Sequence, residues 1–198
     1  MLMVAGMVSA FAAAPTTGSI TVNPNNKGQT YTLYKLFDAQ ITFTETPGAT
    51  EEDDPTYTQA AITYQLLSSK TDFKATVDGT EVDGGQWFKL KSNNFVEKQD
   101  ALTDTVMKSE AFRKWAKAYG EANPTTKTAT QDNDTNVKWE GLSFGYYLVD
   151  STLGAFVGID SANPDATIQD KNNPPGYRTQ SVGGQAEQVF RISRCSSC

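Results

Sequence analysis

The fold is decided by the stretch Trp139-Glu140-Gly141-Leu142-Ser143-Phe144-Gly145-Tyr146-Tyr147-Leu148-Val149-Asp150. Its glycine turn leads into a run of aromatic and β-branched residues, which predicts a buried strand. After an apolar run at 153–159 and an Asn163-Pro164 turn, a shorter strand is predicted from Thr167. That strand ends in Gln169-Asp170-Lys171-Asn172-Asn173-Pro174-Pro175, where the prolines cannot donate to a ladder. These segments predict the last strands of a β-sandwich, with Lys171 at the exit of the final one.

Segments nearer the amino terminus predict further strands. Gly18–Val22 alternates between apolar and polar residues, and 29–39 is rich in β-branched and aromatic residues, with 40–44 as a continuation. In a regular strand, alternate residues share a face, so Lys35 is expected beside Leu33 and Phe37 on the more apolar face. The Asp78-Gly79 pair predicts a tight hairpin.

Two helices are expected between these strands. The first is predicted over Thr58–Ser69, where Ile62 and Leu66 stand four residues apart. The second spans Asp100–Gly120, with a restart at Ser109, a C-terminal cap at Gly120 and a buried aromatic stripe around Trp115.

The chain divides into three parts. Residues 1–14 are apolar or small and end in alanines, which indicates a secretory signal peptide that lacks its basic start and is therefore truncated. Residues 15–175 are expected to form the domain. Residues 176–198 show no continuing pattern and are expected to be an irregular tail that arose by truncation or frameshift. We interpret Cys195 and Cys198 as part of this tail and not as a redox or zinc half-site.

Composition excludes several function classes. The net charge of −6 with mixed signs argues against a nucleic-acid partner, and the absence of histidine removes Ser-His and Cys-His nucleophiles and histidine metal sites. No phosphate loop, hydrolase motif or metal-ligand spacing is present, and the acidic runs at 51–54 and 132–134 fit solvated loops. We therefore predict a protein that is not an enzyme, uses no cofactor or metal and has no membrane span in this chain. A glycosidase-type pair of carboxylates, such as Glu140 and Asp150, stays open as an alternative.

Three motifs together resemble the amino-terminal domain of the sortase-assembled shaft (major) pilins of Gram-positive bacteria, the isopeptide-forming fimbrial proteins. The motifs are Tyr31-x-x-Tyr34-Lys35-Leu36-Phe37-Asp38-Ala39, Gly145-Tyr146-Tyr147-Leu148-Val149 and Ile168-x-Asp170-Lys171-Asn172. The resemblance covers roughly residues 18–175. It implies an immunoglobulin-like β-sandwich, related to collagen-adhesin B-type repeats, with helical insertions.

The resemblance also implies a role for Lys171. In this family, a class C-type sortase converts the threonine of a Leu-Pro-x-Thr-Gly signal into a thioester, and a lysine of the neighbouring pilin subunit resolves it as an amide. Here Gln169-Asp170-Lys171-Asn172 stands where the family commonly has Tyr-Pro-Lys-Asn, so the lysine is retained and the residues before it differ. The chemistry requires an accessible primary amine at a chain exit. As written, the chain can accept an acyl group at Lys171, but it carries no sorting signal with which to donate one.

Many domains of this family also carry an internal amide between a lysine and an asparagine. The reaction requires a buried neutral lysine, a contacting asparagine carbonyl and a protonated carboxyl group that polarises it. Lys35 is the expected nucleophile and Asn172 the expected partner, with Glu140 as the first choice of acid and Asp150 as the second. The alternative is that Lys35 only extends its amine to the edge of the domain.

The leading functional hypothesis is a structural subunit of a covalently polymerised pilus, secreted to the cell surface or cell wall. Its partners would be neighbouring pilin subunits and the sortase. The runner-up is a secreted adhesin domain that binds a host protein or glycan through its loops.

Overall fold

The computed structural model describes residues 15–23, 28–48, 56–122, 126–128, 137–150 and 155–168. Within these ranges the chain is mainly β and forms thirteen strands and two α-helices. The strands are β1 (Thr17–Val22), β2 (Thr30–Thr46), β3 (Thr56–Leu66), β4 (Lys74–Val77), β5 (Thr80–Asp83), β6 (Phe88–Leu90), β7 (Phe95–Lys98), β8 (Glu121–Ala122), β9 (Lys127–Thr128), β10 (Val137–Ser143), β11 (Gly145–Asp150), β12 (Ala155–Ile159) and β13 (Asp165–Ile168). The helices are α1 (Asp104–Met107) and α2 (Glu110–Tyr119).

The strands form two main sheets. A large sheet runs in the order β12-β11-β2-β3-β7-β6, with β8 and β9 also paired to β2, and a small sheet runs β10-β1-β13. The pairing of β1 with β13 is parallel, and β1 is antiparallel to β10. The hairpin β4-β5 stands apart as a two-stranded unit.

The large sheet is covered on both faces. On one face, Leu33, Tyr147 and Ile159 pack with Ile20 and Trp139 of the small sheet. On the other face, a second apolar cluster joins the large sheet to α2 and to the hairpin; its fully buried members include Leu36, Phe37, Phe88, Phe112, Trp115, Tyr119 and Leu148. The architecture is thus layered, with the small sheet on one side of the large sheet and the helix and hairpin on the other.

Sequence patterns within single segments predicted several strands, one turn and one helix start that the structure contains. The predicted first strand is β1, and the predicted second strand is β2, including its continuation. Asp78 and Gly79 form the hairpin turn with φ angles of 49° and 81°, as a tight turn of this type requires. The expected long helix is divided into α1 and α2. The restart at Ser109 is confirmed, because its side chain accepts from the backbone amide of Phe112 at the start of α2.

The helix predicted over Thr58–Ser69 is wrong, because most of this segment is strand β3. Ile62 and Leu66 are four residues apart, a spacing that also places them on one face of a strand. β3 pairs with β2 from Phe37↔Leu66 to Thr46↔Thr56. Pairing with the long strand β2 therefore explains why this segment is a strand and not a helix.

The prediction that Lys35 and Phe37 share one face is also wrong. β2 pairs Phe37 with Tyr146 and Lys35 with Tyr147, so Leu36 is an extra residue opposite β11. Such a bulge shifts the side-chain alternation by one residue. As a result, Lys35 lies on the small-sheet side near Tyr147, whereas Leu36 and Phe37 both join the helix-side cluster.

The outer parts of β2 and β3, residues 40–46 and 56–63, continue past β11 as a two-stranded ribbon within the described chain, which we call the arm. The arm leaves the body at the end where Asp38 pairs with Gly145. β13 ends at the opposite end, where Ile168 pairs with Val22. We call these the arm end and the exit end of the domain.

Candidate functional site

Among the residues that the structure describes, Lys35 is the buried charged side chain, with an exposed fraction of 5%. Its ammonium Nζ forms an ion pair with Asp38 and donates to Ser143 Oγ at 2.6 Å. It also lies 5.7 Å from the centre of the Tyr147 ring, within the range of a cation–π contact. The lysine stem is thus enclosed between the two sheets, and its charged head reaches the arm end of the domain.

The bulge at Leu36 explains why Lys35 meets Asp38. In a regular strand, residues three apart point to opposite faces of the sheet. The extra residue in β2 reverses the alternation between Lys35 and Asp38, so that both side chains point to the small-sheet side. Ser143, the last residue of β10, supplies the third polar group from the neighbouring sheet.

The walls of the site are tightly packed around the lysine. Tyr147 donates from its hydroxyl to the backbone carbonyl of Ser143 at 2.5 Å. Burial raises the pKa of Tyr147 to about 12, with a smaller contribution from the nearby Asp38 carboxylate and an opposing one from Ser143. Gly145 leaves room for the lysine, because a Cβ at this position would stand 2.6 Å from Lys35 Cε. The neutral phenol and the bare glycine backbone therefore fix the path of the lysine stem.

The arrangement around Lys35 differs from the one that amide formation requires. Amide formation at Lys35 would require a proton to pass to a carboxylate, leaving a neutral amine and a carboxylic acid. Such a transfer is favoured where both groups are cut off from water. Here the side chain of Asp38 is 44% exposed and is therefore not cut off from water. Lys35 therefore acts in this structure as a hydrogen-bond donor that ties β2 to β10.

Neither acid predicted from the sequence lies beside Lys35. Glu140 is exposed on β10 and forms an ion pair with Lys138 at 2.7 Å. The hydrogen bond and charge of Lys138 hold the pKa of Glu140 below its usual value, the opposite of what a proton donor requires.

The second choice, Asp150, pairs with Thr32 and so stands three positions from Lys35, about 10 Å along the strand and on the other face of the sheet. Its carboxylate binds Lys117 of α2 at 2.8 Å. The carboxylate in the position that the amide chemistry would need is instead Asp38.

The other two predicted site residues, Lys171 and Asn172, lie outside the described residues. The described chain closest to them in sequence is the end of β13 at Ile168, at the exit end. Ser143, and with it the ammonium of Lys35, is at the arm end, where it pairs with Thr17. The cross-link between Lys35 and Asn172 stays a prediction.

Sequence reasoning missed both partners of Lys35. Asp38 is three residues away, a spacing that in a regular strand points to the opposite face, and Ser143 lies more than a hundred residues away in the chain. One available signal was Gly145 inside an otherwise bulky strand, since a glycine in a strand often marks a close approach by another group.

Two absences can be stated for the part of the chain that the structure describes. It holds no group of three or more Asp, Glu, Cys or His side chains placed to bind a metal ion. None of its helices has the length and apolar character needed to span a membrane.

Comparison with known proteins adds no family assignment. No protein-family model matches this chain, and no curated protein matches it in sequence. Function is therefore inferred from the residues and their geometry.

Replacing Gly145 with alanine is expected to destabilise the domain. The new Cβ would clash with Lys35 Cε at 2.6 Å and with the backbone carbonyl of Phe37, and overpacking of this kind costs about 1–3 kcal/mol. Urea unfolding followed by circular dichroism measures the loss. Gly158→Ala is the matched control: its Cβ would approach the hydroxyl end of Tyr64 at 2.6 Å, a side chain that can move, so the loss is expected to be smaller. Equal losses in the two variants would contradict the packing described for Lys35.

Proposed function

We propose that this protein is a structural subunit of a covalently polymerised cell-surface pilus. In this proposal the layered β fold is an immunoglobulin-like sandwich, related to collagen-adhesin B-type repeats, that is secreted and held at the cell wall. Lys171 accepts the neighbouring subunit from a class C-type sortase. The proposal rests on the resemblance of three sequence motifs to shaft pilins and on the course of the chain through the domain.

The observation that carries the proposal is the position of the chain exit. β13 ends at Ile168, at the end of the domain opposite to the arm. Lys171 follows three residues later, and three extended residues span at most about 11 Å. An amine tethered this closely to the exit end suits a subunit that is joined to its neighbour end to end.

The proposed step is an acyl transfer. The sortase cysteine holds the donor subunit as a thioester at the threonine of its sorting signal. The neutral amine of Lys171 attacks the thioester carbonyl, the new C–N bond forms, and the sulfur leaves as the thiolate. The amine gives up its extra proton to solvent or to a base of the sortase, so the products are an isopeptide amide and the free enzyme.

Replacing Lys171 with arginine is expected to abolish the acceptor reaction, because a guanidinium stays protonated and is not a nucleophile. The purified protein would be incubated with a class C-type sortase and a donor subunit bearing Leu-Pro-x-Thr-Gly. The measurement is the amount of product that survives boiling in detergent, and tandem mass spectrometry locates the joined lysine. Lys108→Arg, an exposed lysine next to α1, is the matched control and should leave the product unchanged.

Two results would contradict the proposal. One is a product whose amount is unaffected by Lys171→Arg. The other is the absence of a boiling-resistant product with the unaltered protein, while a shaft pilin of known activity is joined under the same conditions.

A secreted adhesin domain is the second candidate, favoured by the exposed aromatic residues of the arm. The exposed fraction is 41% for Phe43 and 55% for Tyr57, and both side chains stand on strands. Aromatic rings on an accessible, structured surface are frequent in protein-binding sites. The two functions are compatible, because an arm can bind a partner while Lys171 is joined to a neighbour.

A further inference from the structure

The arm leaves one edge of strand β2 open. On one side, residues 40–46 of β2 pair with β3. On the other side, β2 pairs with β11 over residues 32–38, and the backbone amide of Ala39 then donates to the carbonyl of Phe144 at 3.1 Å. Beyond Ala39, no described strand pairs with this side of β2, and most side chains there are exposed. An open strand edge is a template for pairing with another strand.

The hydrogen bond at the base of the arm fixes which backbone groups point to the open edge. The amide of Ala39 points to Phe144, on the β11 side. In an antiparallel ladder, successive residues direct their amide and carbonyl groups to opposite sides of the strand. The backbone groups of Ile41, Phe43 and Glu45 therefore point to the open edge, whereas the residues between them point to β3.

The two strands of the arm differ in how well their outer edges suit pairing. In β3, Ala60 is an extra residue opposite β2, and a bulge of this kind disrupts a regular edge. β2 has no extra residue in this part of the ladder. Its segment 40–46, Gln-Ile-Thr-Phe-Thr-Glu-Thr, also contains no lysine or proline, the residues that commonly protect an exposed edge. The β2 edge is therefore the one that is open to a further strand.

The segment 40–46 matches itself when two copies run antiparallel about a two-fold axis at Phe43. In this register Phe43 stands opposite Phe43 of the second copy, and Ile41 stands opposite Glu45. All the residues in these pairs direct backbone groups to the open edge, so each pair can exchange two hydrogen bonds. On the other face, Thr42 stands opposite Thr44. Aromatic pairs and threonine pairs across two strands stabilise a sheet.

Charge does not oppose this pairing. Among the described residues of the arm, Glu45 is the charged one. The two copies of Glu45 would be four residues apart along the paired strands, which is about 13 Å. Salt screens exposed charges beyond about 10 Å at 0.1 M ionic strength. A second copy of the same strand thus fits the edge without placing like charges opposite each other.

We propose that β2 of one copy of this protein pairs antiparallel with β2 of a second copy over residues 40–46. The two arms then form one four-stranded sheet. The contact uses the same surface on both copies, so it closes at a dimer. It is small, and we expect the association to be weak. The inference goes beyond the proposed function: a two-fold contact cannot lengthen a fibre, and in a pilus it would join two subunits side by side.

The test compares two substitutions at one position of the open edge. Glu45→Pro removes an amide that points away from β3, so a single copy keeps its ladder, whereas the dimer loses two hydrogen bonds and meets the proline ring. Glu45→Gln is the matched control, because it removes the charge and keeps the amide. Sedimentation velocity on the full chain, with a reductant, should give a dimer with a Kd below about 500 μM. We expect Glu45→Pro to raise this Kd at least about tenfold and Glu45→Gln to leave it within about twofold.

Disulfide trapping identifies the strand that forms the contact. In a chain with Cys195→Ser and Cys198→Ser, Phe43→Cys should give a covalent dimer under mild oxidation. Opposite residues of a hydrogen-bonded pair have Cα atoms about 5.5 Å apart, within the range of a disulfide. Tyr57→Cys, on β3 of the same arm, is the control and should stay monomeric.

Three results would overturn the inference. The first is an unaltered protein that stays monomeric at about 500 μM. The second is a folded Glu45→Pro, checked by circular dichroism, that associates as strongly as Glu45→Gln. The third is a covalent dimer through position 57 and none through position 43. Lys171→Arg should dimerise normally, so a failure here is separate from a failure of the covalent step.

Discussion

Replacing Trp115 with alanine is expected to lower the free energy of unfolding by about 3–5 kcal/mol, the cost of a large-to-small change at a buried aromatic residue. The backbone carbonyl of Phe73 loses the indole donor but keeps the backbone amide of Gly84 as a donor. Trp115 is fully buried in α2, and its ring centre lies 4.9 Å from that of Tyr119 and 5.3 Å from that of Trp87. Its indole N–H donates to the backbone carbonyl of Phe73 at 2.8 Å, which fixes the chain that leads into the hairpin β4-β5.

Urea unfolding followed separately by tryptophan fluorescence and circular dichroism measures this loss. Trp115→Phe is the matched control: it keeps most of the apolar contact and removes the N–H, so we expect a loss of about 1–2 kcal/mol. β2 and β11 contribute residues to the clusters on both faces of the large sheet, so the two probes should report one transition. A loss below about 1 kcal/mol for Trp115→Ala would mean that α2 does not complete the core as described.

Sequence reasoning succeeded where the structure is specified by nearby residues. The Asp78-Gly79 turn and the cap at Ser109 each depend on residues within one turn of the chain, and both are confirmed. The predicted final strand from Thr167 has a structural counterpart in β13, which begins two residues earlier at Asp165. Alternation also assigned Leu33 to the more apolar face of its strand, and Leu33 is fully buried.

Sequence reasoning failed where contacts between residues distant in the sequence decide which element forms or which face a side chain occupies. The four-residue spacing of Ile62 and Leu66 fits a helix and a strand equally, and pairing with the extended end of β2 selects the strand. The bulge at Leu36 has no local sequence signal, yet it determines which residues face Lys35. For this reason the carboxylate beside Lys35 is that of Asp38 and not that of Glu140 or Asp150.

The common face of the exposed apolar side chains was also beyond sequence reasoning. Only the register shows that Phe43 and Tyr57 stand on the same face as Leu90, about 30 to 50 residues away in sequence. Apolar residues are visible in a sequence, but their exposure together on one face is a property of the fold.

Replacing Asp38 with alanine is expected to lower the free energy of unfolding by about 2–3 kcal/mol. Removal of one partner from a buried ion pair costs about 3–5 kcal/mol. We expect a smaller loss here, because Asp38 is 44% exposed and water can take the position of its carboxylate beside the Lys35 ammonium. The ammonium of Lys35 would keep only the hydroxyl of Ser143 among the two hydrogen bonds described for it. Urea unfolding at neutral pH gives the measurement. Asp104→Ala, which removes an exposed carboxylate from the first turn of α1, is the control and should cost less than about 1 kcal/mol.

Replacing Lys35 with methionine separates an ion pair from a cross-link at this site. Methionine keeps the length of the stem and removes the charge, so for an ion pair we expect a change within about 1 kcal/mol in the unaltered protein. In the Asp38→Ala background, where the ammonium has lost its carboxylate, the same change should recover most of the lost stability. A Lys35–Asn172 amide predicts the opposite: a large loss of stability, and an intact mass about 17 Da below the sequence value that returns to it in the variant, because amide formation releases ammonia. Since Asp38 is half-exposed beside Lys35, we expect the full sequence mass from the unaltered domain once its leader is accounted for. A deficit of about 17 Da that disappears in Lys35→Met would show that the charged pair is not the final state of this lysine.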